Sequence, residues 1–377
     1  MLTQKTLFDP SSNLDAYIPR PVDNFTPNQI ILASGSQHKK NLINSICRLY
    51  PKAKILEKIN VSHAKIQIDG QTLIDCHYAG KKTLVFGELK SAVRFSEESD
   101  NTCPNYWHFS SYGFCPYGCH YCYLAGTVGV KFSPTVKIFL NLQDILQKIN
   151  QIATRLNEPT AFYLGKLQDA LALDPLTGYS RIMIPFFANH PHARLVLLTK
   201  SADVKNLLGL NHVGKTILSW SLNPPEIVSQ FEENTPPIES RLDAMEKCHA
   251  AGYPIRAVIM PIIPVPNWQQ AYENFLTQLL KRIPLTRLTL GGICSYTTAR
   301  SLMNGKMTPQ NAINQNMKEK SPDGRYRYPA DLRIEIYSHL LKIIHRLQPH
   351  LQTALCLEQK NIWQACNLQQ NPCNCLL

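Results

Sequence analysis

From residue 106 onward, short apolar runs recur at residues 106–110, 161–165, 194–199, 216–221, 254–260 and 286–291. They are rich in β-branched and aromatic side chains, and runs of this length predict strands. Between them, residues 143–156, 238–251 and 268–282 carry apolar positions at helical spacing. Six strands alternating with helices imply parallel βαβ units. Right-handed crossovers then either curl the sheet toward a barrel or leave it open and doubly wound. Periodicity alone does not choose between these. Upstream, residues 37–50 place Leu42, Ile43, Ile46 and Leu49 on one helical face, and residues 53–59, 65–68 and 83–86 read as strands. This predicts a small N-terminal α/β domain over residues 1–100. Residues 1–35, rich in Pro, Asn and Ser, read as an irregular lead-in.

Composition narrows the class. The chain has 377 residues, 44% hydrophobic and 18% charged, which excludes a disordered protein and provides ample core. No apolar run reaches the roughly 18 residues of a membrane helix, and residues 1–10 lack the apolar segment of a secretory signal. The expected setting is cytoplasmic, with no membrane partner. Charge is unevenly spread. Residues 281–350 hold twelve basic and four acidic side chains, so they carry +8 of the net +12. A block of this kind is either a solvated basic face or a surface for a polyanion, nucleic acid before membrane.

The cysteines change the picture further. Twelve is a high count for a compartment where disulfides are rare, and clustered thiols there hold metal or do chemistry. Cys115, Cys119 and Cys122 form a CxxxCxxC triplet directly after the first of the six strands. Three thiolates from one loop can ligate three corners of a cubane iron–sulfur cluster. The fourth iron then stays open to S-adenosylmethionine (SAM), whose sulfonium one electron splits into methionine and a 5′-deoxyadenosyl radical. Zinc is the competing reading, with Cys103 or His120 as a fourth ligand, but its pairs are usually spaced CxxC. Four more cysteines, Cys356, Cys366, Cys373 and Cys375, crowd the C-terminal tail. They could bind a second metal, provide a thiol to the site, or be plain reduced thiols.

The motif and its surroundings resemble the radical SAM superfamily and, within it, the spore photoproduct lyase family. The likeness runs from about Gly80 through Cys103-Pro-Asn-Tyr-Trp-His and the triplet to Tyr123-Leu-Ala-Gly. It continues in Val136-Lys-Ile-Phe-Leu-Asn, Leu198-Thr-Lys-Ser201 and Ser219-Trp-Ser-Leu-Asn-Pro224. The resemblance implies a partial (β/α)6 TIM-like barrel over residues 101–295, with a basic, Cys-tailed extension over 296–377. It places a [4Fe-4S] cluster and SAM at the C-terminal ends of the strands, where βα loops converge. It makes Lys200 and Ser221 contacts to the SAM carboxylate, since an ammonium and a hydroxyl suit that anion. Asp169 and Tyr121 join the cofactor contacts, and Tyr123 resembles a tyrosine that takes part in hydrogen transfer. The implied reaction is DNA repair: reversal of a thymine–thymine adduct in UV-damaged DNA, with a flavodoxin or ferredoxin as electron donor. A damaged dinucleotide would be turned out to the barrel mouth. Arg300, Lys306, Lys318, Lys320, Arg325 and Arg327 would meet phosphates, and Tyr326 and Tyr328 would stack or wedge.

One departure matters. The lyases carry a hydrogen-donor cysteine three residues ahead of the aspartate matched by Asp169, and here that position is Lys166. An amine N–H bond is much stronger than a thiol S–H, so another thiol must act or the reaction differs. Cys294, just past the sixth strand, is the first candidate, while Cys248 lies in a helical stretch and reads as structural. The rivals are a radical SAM enzyme of this branch with another substrate, and a non-enzymatic, metal-stabilised nucleic-acid binder.

Overall fold

The computed structural model describes residues 17–97, 101–307 and 311–377. The expected absence of a leader at residues 1–10 lies outside them. The described strands form two sheets and a hairpin. The small sheet holds β1 (Gln29–Leu32), β2 (Lys54–Glu57), β3 (Thr83–Gly87), β6 (Tyr112–Gly113) and β7 (Val136–Phe139), in the order β2-β1-β3-β7-β6. The large sheet holds β4 (Val93–Ser96), β5 (Tyr106–Phe109), β8 (Thr160–Leu164), β9 (Ala193–Thr199), β10 (Thr216–Leu222), β11 (Ile255–Ile259), β12 (Arg287–Leu290) and β15 (Thr353–Leu355). Its order is β15-β12-β11-β10-β9-β8-β5-β4, parallel throughout except for the β4 edge. The hairpin is β13 (Glu319–Lys320) with β14 (Tyr326–Arg327).

The protein is thus a mixed α/β fold, and all six expected strands from residue 106 onward are present. The two edges, β4 and β15, do not pair with each other, so the large sheet does not close. Strands β10 and β11 are buried along their whole length. This is the signature of parallel strands covered on both faces. Covering helices follow the same logic. Helix Leu142–Leu156 buries Leu142, Ile145, Leu146, Ile149, Ile152 and Ala153, one stripe at 3.6-residue spacing, and stops at Asn157 in the left-handed region. Each fully buried Leu or Ile in that stripe contributes about 1.5–3 kcal/mol of transfer free energy.

Two expectations fail locally. Residues 65–68 are not a strand; a short turn of 3-10 helix, His63–Lys65, occupies that place. Residues 29–32, inside the expected lead-in, form β1 near the centre of the small sheet, paired to both β2 and β3. Ile30 and Ile31 are buried there, and the surrounding Pro and Asn residues mask a run too short to show periodicity. The sheets also draw strands from both sides of residue 100: β4 joins the large sheet and β7 the small one, while β15 extends the large sheet beyond β12. The segment between β6 and β7, two paired strands of the small sheet, carries the three-cysteine motif, and a bridge from Phe114 to Gln168 ties its start to the turn after β8.

Candidate active site

The motif loop is fixed by a cation that the sequence reading missed. Lys81, buried at the end of helix Leu73–Lys81, donates to the carbonyls of Cys115 (2.5 Å) and Tyr117 (2.7 Å) and lies 3.6 Å from the Phe114 ring centre. On the other side, the Gly118 and His120 amides donate to the Glu233 and Phe231 carbonyls, each at 2.8 Å. With its backbone tied on both flanks, the loop turns Cys115, Cys119 and Cys122 onto the wall of a cavity of about 290 Å³. Cys115 and Cys119 are buried, and burial pushes both thiols up, Cys119 to about 12 with the Glu232 carboxylate adding to the effect.

The nine residues given cluster, cofactor or catalytic roles from sequence line one cavity: the three cysteines, Tyr121, Tyr123, Asp169, Lys200, Ser221 and Cys294. Strand ends explain the convergence. Lys200 follows β9 and Ser221 lies near the end of β10, where the Lys200 Nζ donates to the Ser221 Oγ at 2.6 Å. Lys200 also stands 3.3 Å from Glu232, so two of its three donors are engaged and one more acceptor can be taken. Asp169 is engaged on both of its carboxylate oxygens. Its Oδ1 accepts from the amides of Leu171 (3.0 Å) and Ala172 (2.9 Å) and from the Thr199 hydroxyl (2.6 Å), while Oδ2 accepts from the Lys200 amide (2.7 Å). Its carboxylate thus welds the turn after β8 to the end of β9. Tyr121 donates its hydroxyl to Glu232, and its ring centre lies 5.7 Å from the Lys200 ammonium. Tyr123 packs on Tyr296 with ring centres 5.2 Å apart, and the two hydroxyls are 3.5 Å apart.

Beneath these groups is an ion-pair network that sequence reading also missed. Glu232 is fully buried, held at 2.6 Å by Arg241, itself fully buried, and by Lys200 and Tyr121. Although burial opposes it, the two cations hold the Glu232 carboxyl down to about 2. A signal was present: Arg241 stands between Ile238 and Met245 on the apolar stripe of helix Ile238–Ala250, where a charge must find a buried partner.

The basic block is less uniform than its composition. Arg327 is buried and grips Asp323 at 2.8 and 2.5 Å, and Arg325, also buried, lies 3.7 Å from the same carboxylate. These two arginines stabilise the β13–β14 hairpin and do not stand out toward phosphates. Tyr328 is fully buried core, whereas half-buried Tyr326 has the Arg300 guanidinium 4.6 Å from its ring centre. Lys318 and Lys320 are exposed.

The tail folds back to the cavity. Cys356, Cys373 and Cys375 line it together with Cys103, whereas Cys366 does not. Among the described residues, no three His, Cys, Asp or Glu side chains stand at the mutual distances of a single-ion site. A cubane is wider than one ion, so three ligands around it stand further apart; the cavity-facing triplet fits the cluster by its donor chemistry. No helix among the described residues is long and apolar enough to cross a membrane.

Comparison with known proteins agrees with this geometry. The family model described as spore photoproduct lyase matches residues 25–350. A spore photoproduct lyase of Geobacillus sp. (strain Y412MC61) is 31% identical over 224 residues, 59% of this chain and 64% of that protein. That of Bacillus subtilis (strain 168) is 29% identical over 226 residues, again 59% and 64%. The matched stretch therefore spans just under two thirds of these relatives. A solved spore photoproduct lyase complexed with dinucleoside spore photoproduct superposes with a TM-score of 0.76 at 23% identity, covering 88% of this chain and all of that one. A variant solved with bound AdoMet and the same dinucleoside gives the same TM-score, 0.76, also at 23% identity, with coverage of 88% and 98%. At that identity the likeness is one of fold.

Proposed function

The chain belongs to the spore photoproduct lyase family, and on that premise we propose that it is a radical SAM lyase that reverses a thymine–thymine photoproduct in DNA. The observation that carries this reading is the meeting of the Cys115–Cys119–Cys122 triplet with the Lys200–Ser221 pair across one cavity at strand ends. On the same premise, the large sheet is the partial (β/α)6 barrel of the radical SAM type. The N-terminal unit (1–100) and basic C-terminal extension (296–377) each lend it an edge strand, β4 and β15. The three cysteines would hold a [4Fe-4S] cluster, which with SAM bound supplies a 5′-deoxyadenosyl radical. Lys200 offers its remaining donor to the SAM carboxylate, with Ser221 fixing the ammonium's direction. Asp169 keeps Lys200 in register through its backbone amide, and buried Glu232 keeps the lysine extended toward the cavity. Tyr121 holds that glutamate, and Tyr123 stands at the Tyr296 side of the cavity, where hydrogen transfer would take place. A flavodoxin or ferredoxin would supply the electron.

A second reading is favoured by one residue. Lys166 occupies the lyases' donor-cysteine position, and its ammonium is held at the cavity wall by the Ser96 hydroxyl and the Tyr106 ring, 5.1 Å from the ring centre. A radical SAM enzyme of the same branch with a different substrate would accommodate this. Anaerobic reconstitution followed by assay of irradiated DNA separates the two. Repaired thymine that depends on SAM supports the lyase, and 5′-deoxyadenosine formed from SAM without repair supports the second substrate. Cys115→Ala, Cys119→Ala or Cys122→Ala should abolish 5′-deoxyadenosine formation while leaving the far-UV circular dichroism intact. Stoichiometric zinc with no iron after anaerobic purification would sink both.

A further inference from the structure

We propose that the tail dithiol Cys373–Cys375 is the hydrogen-atom source of this site, with Cys375 as the donor to a carbon-centred product radical. The proposal rests on the radical reading above and adds a catalytic residue to it. The tail is built into the sheet. Asn374 inserts its amide among three adjacent strands: Nδ2 donates to the Ser219 hydroxyl of β10 and the Ala257 carbonyl of β11, both at 2.8 Å, and Oδ1 accepts from the Thr289 hydroxyl of β12 at 2.9 Å. Arg287 donates to the carbonyls of Cys373 (2.9 Å) and Leu377 (3.0 Å), and Arg256 donates to that of Leu376. Six interactions on five residues fix the backbone on either side of both thiols, and those thiols line the same cavity as the cluster triplet.

Location distinguishes this pair from Cys294. Cys375 packs with Tyr106, Tyr163 and Ile217. Tyr106 is the ring beneath the Lys166 ammonium, so the tail thiols stand on the Lys166 wall. Cys294 follows β12 and has Arg325 and the β13–β14 hairpin as its neighbours. Chemistry points the same way. Breaking a carbon–carbon bond by hydrogen abstraction leaves a carbon radical, and a thiol S–H is much weaker than the C–H bond formed when that radical is quenched. The two thiols interact as neighbours, and that proximity together with burial raises Cys375, while Cys373 is shifted down by its neighbour and by Arg287. The step balances. The S–H bond breaks as a C–H bond forms on the product, and the sulfur radical left behind regains a hydrogen atom from the methyl group of 5′-deoxyadenosine. The thiol is restored; the 5′-deoxyadenosyl radical so re-formed would rejoin methionine as SAM and return its electron, so no outside reductant is consumed.

Solvent deuterium reads the proposal directly, because S–H exchanges with water and the deoxyadenosine C–H does not. The full-length reconstituted protein, turned over with SAM and dinucleoside spore photoproduct in D2O, should place deuterium in the thymine product. Cys375→Ser should lose it. Product without deuterium from the unaltered protein, or loss in Cys294→Ala but not in Cys375→Ser, overturns the assignment. A second arm needs no turnover: iodoacetamide labelling mapped by mass spectrometry should show Cys375 protected by the dinucleoside. Equal labelling with and without it overturns the placement. Failure of the reduced, reconstituted protein to form 5′-deoxyadenosine from SAM when no dinucleoside is present would instead refute the radical reading, and the labelling arm would still decide the thiol's position.

Discussion

The Glu232 carboxylate shows how far a single buried charge governs this site. It neutralises Arg241 and Lys200 at once, so Glu232→Gln keeps the shape and leaves two cations without their anion. Removing one partner of a buried pair costs about 3–5 kcal/mol, and the urea midpoint should fall accordingly. The pH dependence follows. Glu232 titrates at about 2 in the fold against 4.5 unfolded, so its contribution is complete above 4.5 and is lost as pH falls toward 2. Histidines act earlier. Burial lowers His77 to about 2, reinforced by Lys306 and Lys81, and lowers His63 and His190 to about 4. The unfolded chain binds those protons first, so stability should drop as pH falls from 6.5 to 4. Among the described residues, neither ring nitrogen of buried His77 has a hydrogen-bond partner. His77→Leu should therefore flatten that limb, and a melting curve at pH 7 and pH 4.5 checks it; an unchanged slope would clear His77. The cysteine triplet was legible because its spacing is local. Glu232, Arg241, Lys81 and Asn374 were not, since their partners lie far along the chain.

At the scale of elements, strands of the large sheet were legible because parallel strands buried on both faces read as unbroken apolar runs. β1 was hidden because four residues give no period, and residues 65–68 misled because an apolar alternation can also serve a turn. The hairpin is the instructive case. Its arginines looked like phosphate ligands by composition, yet Asp323, four residues from Arg327, captures both. Arg327→Ala should thus act on stability: the buried Asp323 carboxylate loses its bidentate partner, a cost of about 3–5 kcal/mol. Limited proteolysis should cut between β13 and β14 faster in that variant. A variant of native stability with impaired DNA affinity would reverse the assignment.

The whole molecule carries +12, and its field alone favours a polyanion. What composition could not reveal is which cations remain outward. The hairpin is anchored next to the cavity, since Ser295 and Tyr326 exchange backbone hydrogen bonds at 3.0 and 2.7 Å just after Cys294. Exposed Lys318 and Lys320 flank that anchor, with the Lys320 ammonium 5.9 Å from the Tyr326 ring centre. A strand of DNA presenting a damaged dinucleotide to the cavity would pass this edge, and its phosphates would displace counterions as the lysines engage. Each phosphate neutralised on duplex DNA contributes about −0.9 to the slope of log affinity against log salt. Lys318→Ala with Lys320→Ala should therefore make the slope shallower by roughly 1.8. Arg325→Ala, because that side chain is folded against Asp323 and Tyr296, should leave the slope as it is. Fluorescence anisotropy with a labelled duplex across a salt series measures both. A slope that responds to Arg325 and ignores the two lysines would place the DNA on another face, and affinity independent of salt would remove the case for a DNA substrate.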